Sequence, residues 1–156
     1  MNGTSFKSEH VEADYKANDI QGAFVICEHF FAQSVPCVPY ANDSAGTYAM
    51  KRPDLLVDGL PVEVQVSRSW GNKGKPIGWK GIYIFERKMH QASETGGAWF
   101  TVNAVGSHAY RVPFSAKPIR KGVYRDPIRG TSDPYVVFSF EDAEFIELLK
   151  VDGKLN

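Results

Sequence analysis

The sequence predicts an α/β domain in which a mixed β-sheet is flanked by helices. Apolar residues recur at helical spacing near the N-terminus, and short runs rich in β-branched and aromatic residues follow, separated by turn residues. A final acidic segment has helical composition, and the order helix, strands, helix is typical of α/β and α+β domains. Because 156 residues is the length of one domain with a substantial core, we expect a single domain over residues 1–156.

The first element is a helix over residues 18–33. Asn18 can cap its N-terminus, and Gln21, three residues later, gives a pattern that resembles a capping box. Prolines at positions 36 and 39 end the helix, because proline cannot continue one. The apolar stripe along its buried face consists of Ile20, Ala23, Phe24, Cys27, Phe30 and Phe31.

Three strands follow, around residues 47–50, 54–57 and 62–67. The dipeptide Asp58-Gly59 is a strong turn signal, so the second and third of these strands form a β-hairpin.

The two faces of this hairpin differ in polarity. Residues opposite each other in an antiparallel pair point to the same face, as do residues two apart. With an even-numbered connection, Asp54, Glu63 and Gln65 therefore share one face. Two carboxylates on rigid strands can bind a hard cation through oxygen ligands, although a polar face can also simply contact water. The opposite face is apolar and consists of Leu55, Val57, Val62, Val64 and Val66.

The rest of the chain reads as a loop, four strands and a helix. RSWGNKGKPIGWKG is a Gly- and Lys-rich loop that contains two tryptophans. GIYIFERK, AWFTVNAV, AYRVPF and YVVFSF are predicted to contain strands. EDAEFIELLK predicts a short helix with acidic residues at its N-terminus, where the helix dipole favours them.

Charge is unevenly distributed although the net charge is zero. Residues 51–90 carry eight Lys or Arg against four Asp or Glu. Clustered cations can neutralise phosphates, and solvated surface loops carry similar clusters, so both interpretations stay open here. A second basic cluster has only Asp126 against it and consists of Lys117, Arg120, Lys121, Arg125 and Arg129.

Several classes of protein and site are not indicated. No apolar run reaches the roughly 20 residues that span a bilayer, and MNGTSFKSEH lacks the pattern of a secretory signal. The two cysteines, Cys27 and Cys37, form no disulfide framework or metal cluster, so we expect a reducing, cytoplasmic environment. Four isolated histidines predict no zinc site, and no Gly-rich segment has the spacing of a nucleotide-binding loop.

The hairpin carries a family resemblance. Pro53-Asp54, followed nine residues later by Glu63, Val64 and Gln65, resembles the core motif of the PD-(D/E)XK nucleases, which include Holliday-junction resolvases and many restriction endonucleases. VEVQVSRS in particular is similar to the form of this motif in resolvase-like members. Gln65 stands where the family usually has lysine, as it does in some restriction enzymes.

The resemblance covers about residues 18–112 and implies a restriction-endonuclease-like core and a Mg²⁺- or Mn²⁺-dependent endonuclease. It implies that Asp54, Glu63 and the backbone carbonyl of Val64 hold the metal. Gln65 would then orient the attacking water by hydrogen bonds, because an amide cannot supply the positive charge of a lysine.

The family often places a further acid on the helix that precedes the hairpin. Glu28 is the candidate here because it is an acid that borders the apolar stripe, while Gln21 and Asp19 are alternatives.

The implied partner is DNA, with branched or structured DNA as one option and a homodimer left open. Trp70 or Trp79 can stack on a base, although packing in the core or the loop is the role favoured for each. Two other functions fit the sequence: a catalytically silent nucleic-acid-binding domain, and a small β-rich interaction module. The cations expected to contact the DNA backbone are Arg52, Arg68, Lys73, Lys75 and Lys80.

Overall fold

The computed structural model describes residues 20–39, 53–89, 96–128 and 130–150. Its α-helix, α1, covers residues 20–31, within the predicted range. Two short 3₁₀ helices occur at Glu86–Lys88 and Phe140–Asp142. The strands in these ranges are β1 (Cys37–Pro39), β2 (Leu55–Val57), β3 (Leu60–Ser67), β4 (Ile82–Phe85), β5 (Ala98–Asn103), β6 (His108–Pro113), β7 (Arg120–Asp126), β8 (Thr131–Phe138) and β9 (Glu144–Glu147).

The strands form two sheets. The large sheet has the order β1-β2-β3-β5-β6-β9, and the small sheet has the order β4-β8-β7. Strands β3 and β5 pair in parallel, whereas the neighbouring pairs in the large sheet are antiparallel. The predicted mixed sheet in an α/β chain is therefore confirmed. No helix in the described ranges is both long enough and apolar enough to cross a membrane.

Helix α1 covers one face of the large sheet. Its residues Ala23 and Ile26 are fully buried against Val64 and other apolar strand residues. The contact is close at Gly22, where an added Cβ would lie 2.8 Å from Val66 Cγ2. The apolar face of the hairpin therefore packs on α1, which leaves Glu63 and Gln65 on the opposite face of β3.

The small sheet, rather than a second helix, covers that opposite face. Trp99 of β5 contacts Phe138 of β8, with ring centroids 5.1 Å apart. The described part of the chain thus places a helix on one flank of the large sheet and a sheet on the other. The buried residues between the two sheets are Trp70, Ile82, Ile84, Trp99, Tyr110, Val112, Phe114, Val136 and Phe138.

The β2–β3 hairpin has the predicted connection. Leu55 pairs with Val62, so the strands are joined by a two-residue turn. Asp58 and Gly59 both have positive φ, 49° and 80°, as a type I′ turn requires. The same register, extended by one residue, places Asp54 opposite Glu63.

The prediction for EDAEFIELLK is wrong. The segment contains a 3₁₀ turn and then strand β9, which pairs with β6 at the edge of the large sheet. Phe145 packs into the cluster between the sheets, whereas Ile146 packs on the α1 side. Consecutive residues that serve opposite faces fit a strand, so tertiary pairing overrides helical composition.

Two strands were not predicted, and one prediction falls outside the described residues. Neither β1 nor β7 is among the predicted strands, and β8 begins four residues before YVVFSF. The strand expected over 47–50 lies outside the described residues. In contrast, β4, β5 and β6 lie where they were expected.

Candidate functional site

At the end of the hairpin, Asp54 contacts the strand that carries Glu63. Asp54 lies just before β2, and its Oδ2 accepts a hydrogen bond of 2.8 Å from the backbone N–H of Val64. Val64 directly follows Glu63, which lies on the polar face of β3 and is only 1% exposed. The register and this hydrogen bond therefore place Asp54 beside the strand segment that carries Glu63.

A lysine completes this group. Lys88 Nζ lies 2.9 Å from Asp54 Oδ2, and the two side chains are 9% and 20% exposed. Lys88 ends the 3₁₀ helix that follows β4, and its backbone carbonyl accepts a 2.8 Å hydrogen bond from Trp99 Nε1. Trp99 is the β5 neighbour of Glu63. Trp99 therefore holds the backbone of Lys88 close to the polar face.

We name Asp54, Glu63 and Lys88 the charged cluster. Taking a carboxylate or an ammonium out of water costs several kcal/mol, so charged side chains are seldom buried without a reason. Here the buried members belong to different elements, β3 and the 3₁₀ helix, and the most exposed member is Asp54. Solvent or a ligand would reach the cluster from the side of Asp54.

Gln65 is engaged in bonds between strands. Its Nε2 donates to the backbone carbonyl of Tyr83 at 2.7 Å and to Thr101 Oγ1 at 2.8 Å. Its Oε1 accepts a 3.2 Å hydrogen bond from the backbone N–H of Phe85. Because Nε2 has two hydrogens, these contacts use the full donor capacity of the amide. The structure therefore places Gln65 as a link between the two sheets.

The helix residues lie on the other side of the large sheet. Glu28 lines a cavity of about 370 Å³ together with apolar residues of α1 and Pro39. Gln21 lines a second cavity, also of about 370 Å³, beside the end of β5. The structure therefore does not bring Glu28 or Gln21 to the charged cluster. Asp19 lies outside the described residues.

Four of the five predicted phosphate-contacting cations lie on the connection between β3 and β4. This connection follows Ser67, which lies roughly 13 Å beyond Glu63 along the strand at about 3.3 Å per residue. Arg52 lies outside the described residues. The remaining four are exposed on the loop at the far end of β3 from the charged cluster: Arg68, Lys73, Lys75 and Lys80.

The two tryptophans of this loop pack within the protein. Trp70 is fully buried between the sheets, and its Nε1 donates to the carbonyl of Gly74 at 2.8 Å. Trp79 is half-buried and makes an edge contact with Trp70, with centroids 5.6 Å apart. Trp70 is therefore a core residue and presents no face to a base.

The oxygen donors of the charged cluster suit a hard cation that takes only one or two of its ligands from the protein. In the described ranges, no three His, Cys, Asp or Glu side chains are grouped so as to hold a metal ion. Mg²⁺ commonly uses only one or two carboxylates and takes its other ligands from water and substrate phosphates. Asp54 and Glu63 fit that pattern. Among the described residues, the Val64 N–H and the Lys88 ammonium both contact Oδ2 of Asp54.

No protein-family model matches the chain, and neither a curated protein nor a solved structure matches it. What the charged cluster can do is therefore inferred from its own side chains.

Lys88 is the site residue that sequence reasoning missed. It was counted only among the cations of residues 51–90. Glu86, Arg87 and Lys88 follow β4 consecutively, and the fold turns only the third of them inward. The sequence signal is a triplet of charged residues directly after a buried strand. That signal does not indicate which of the three side chains is buried.

Proposed function

We propose that the protein is a metal-dependent nuclease with a restriction-endonuclease-like core, and that it hydrolyses phosphodiester bonds of DNA at the charged cluster. The observation that carries the proposal is the buried Lys88 ammonium 2.9 Å from Asp54, on the polar face that also bears Glu63. Two carboxylates beside a lysine form the chemical set that the motif requires. The lysine comes from the 3₁₀ helix that follows β4 instead of from position 65.

Asp54 and Glu63, with the backbone carbonyl of Val64, are the groups that would hold Mg²⁺ or Mn²⁺. A cation there supplies Lewis-acid chemistry: it polarises a phosphoryl oxygen and lowers the pKa of a bound water. The chain itself fixes the carboxylate of Asp54, because the Val64 N–H and the Lys88 ammonium both donate to Oδ2. Asp54 is thereby oriented before any ligand arrives.

Lys88 takes the electrostatic role in this proposal. An ammonium in a partly desolvated site stabilises negative charge that develops on a phosphate in the transition state. Its flexible stem allows it to exchange one oxygen acceptor for another, from Asp54 to a phosphate oxygen. Gln65 then needs no catalytic role, and its hydrogen bonds keep β4, and with it Lys88, against β3.

The test is cleavage of supercoiled, linear duplex, branched and single-stranded DNA in Mg²⁺ or Mn²⁺. We expect Lys88→Met to lower kcat by about 10²–10³, as loss of one stabilising donor does elsewhere. The matched control is Lys150→Met, the same change at an exposed lysine outside the predicted DNA-contacting set, which should alter kcat by less than about threefold. Thermal unfolding of each variant checks that the fold is retained, and Lys88→Arg should recover part of the loss.

Two results would refute the proposal. One is wild-type protein that cleaves none of the four DNA forms with either metal. The other is cleavage by Lys88→Met and Asp54→Asn at the wild-type rate, which would assign the activity to another site or to a contaminant.

A catalytically silent nucleic-acid-binding domain is the second candidate. It is favoured by the ion pair itself, because the Lys88 ammonium neutralises the carboxylate of Asp54. DNA binding that is salt-dependent, needs no divalent cation and survives Glu63→Gln would support this alternative.

A further inference from the structure

The β7–β8 hairpin extends beyond the small sheet. Tyr135–Phe138 of β8 pair with β4, whereas residues 131–134 pair only with β7 among the described strands. We name residues 123–126 and 131–134 the ribbon. Its four residue pairs extend roughly 13 Å past the end of β4, at about 3.3 Å per residue. Val123 and Tyr124 are 52% and 51% exposed, so the ribbon stands away from the core.

The ribbon leaves the small sheet at the end where the charged cluster lies. Phe85, the last residue of β4, pairs with Tyr135. The ribbon begins at Pro134, the residue of β8 that precedes Tyr135. The 3₁₀ helix that ends in Lys88 begins directly after Phe85 and contacts β8. The ribbon and the proposed nuclease site are therefore neighbours, unlike the basic loop at the far end of β3.

The two faces of the ribbon differ in charge. Paired residues of antiparallel strands share a face, and the register pairs Tyr124 with Asp133 and Arg125 with Ser132. One face therefore carries Asp126 and Asp133. The other face has no acid among its described residues. Within the ribbon it carries Arg125 with Val123, Ser132 and Pro134, and along β7 it continues to Lys121, which lies just outside the ribbon. We name these five residues the basic face.

We infer that the basic face of the ribbon enters a groove of duplex DNA and contacts its phosphates while the charged cluster acts on the strand beside it. This inference rests on the proposed function, because it takes DNA as the partner. The major groove accepts a two-stranded β-ribbon, and Lys and Arg on one face would neutralise the phosphates that border it. The edge strand β7 carries three cations, Arg120, Lys121 and Arg125, and charged edges oppose pairing with a second copy of the chain.

The experiment measures binding of a fluorescent DNA duplex by anisotropy in a metal chelator, so that hydrolysis is not needed. The variant is Lys121→Gln with Arg125→Gln. Its matched control, Lys117→Gln with Arg120→Gln, has the same change in net charge in the same segment but leaves the basic face intact. If both phosphate contacts are lost, Kd should rise about 60-fold at 0.1 M salt, and the slope of log Kd against log salt should fall by about 1.8. The control should change Kd by less than about fivefold.

Several results would overturn the inference. Equal losses of DNA affinity in the variant and its control would show an effect of net charge alone. A wild-type protein that does not bind the duplex would show that duplex DNA is not the partner. An equal loss on a single strand of the same length would contradict a groove contact. Sedimentation that shows a dimer broken by Val123→Ser, with Kd unchanged in the charge variant, would make the ribbon an interface between copies. Because binding is read without cleavage, failure of the nuclease proposal at Lys88 is distinguishable from failure here.

Discussion

Replacement of Gln65 by methionine should lower the stability of the protein by about 3 kcal/mol. The change keeps the length of the side chain but removes partners from the backbone groups of Phe85 and Tyr83 and from the Thr101 hydroxyl. Each buried backbone group left unsatisfied costs about 1–3 kcal/mol. Thr101 Oγ1 loses a donor but its hydroxyl keeps its own hydrogen to donate, so this loss adds less, and the added apolar surface returns about 1 kcal/mol.

Urea unfolding, fitted with a common m-value, measures this loss. The matched control is Gln21→Met, because Gln21 is an exposed glutamine on α1 and its replacement should cost less than about 0.5 kcal/mol. A double-mutant cycle with Thr101→Val should show a coupling of about 1 kcal/mol between the two side chains. Equal losses at positions 65 and 21 would refute the role of Gln65 as a link between sheets. Retained stability with lost nuclease activity would instead support the catalytic role that the motif implies.

Two further predictions concern stability. Burial lowers the pKa of His29 below 6.5, and its Nδ1 accepts a hydrogen bond from the Leu149 N–H. The folded protein therefore resists protonation of His29, so this contribution is complete above pH 6.5 and is lost as pH falls through the folded-state pKa. The gap in unfolding free energy between wild type and His29→Gln should narrow between pH 7.5 and 5.5, and a constant gap would contradict the assignment. An alanine Cβ at position 97 would meet the carbonyl of Pro61, so Gly97→Ala should cost about 1–3 kcal/mol. Gly71→Ala meets nothing within 4 Å and should cost less than about 0.5 kcal/mol in the same urea titration, and similar values for the two would show that the backbone yields at position 97.

The elements that the sequence predicted well are those with local signals. The β2–β3 hairpin has a turn dipeptide in the conformation that favours glycine, and its strands alternate, so turn and register follow from about fourteen neighbouring residues. The opposite placement of Asp54 and Glu63 follows from the same register.

The elements that escaped prediction depend on distant partners. Strand β7 is rich in exposed charged residues and lacks the alternation that marks a half-buried strand, because half of it lies in the ribbon and contacts no core. Strand β9 is adjacent to β6 only in the folded sheet, and nothing within EFIE distinguishes it from a helix. Lys88 reaches Asp54 across 34 residues of sequence, so no local motif spans the pair.

The hydrogen bonds of Gln65 restrict which residues can replace it without a second substitution elsewhere in the chain. A lysine at position 65 would remove the acceptor for the Phe85 N–H and place an ammonium between the sheets, in the region where Lys88 already supplies one. We therefore expect lysine at position 65 and lysine at position 88 to be alternatives that do not occur together. A relative of this protein that carries lysine at position 65 should therefore carry an uncharged residue at position 88. A search for the linear motif, which expects lysine at position 65, would not recognise a chain that carries the lysine at position 88.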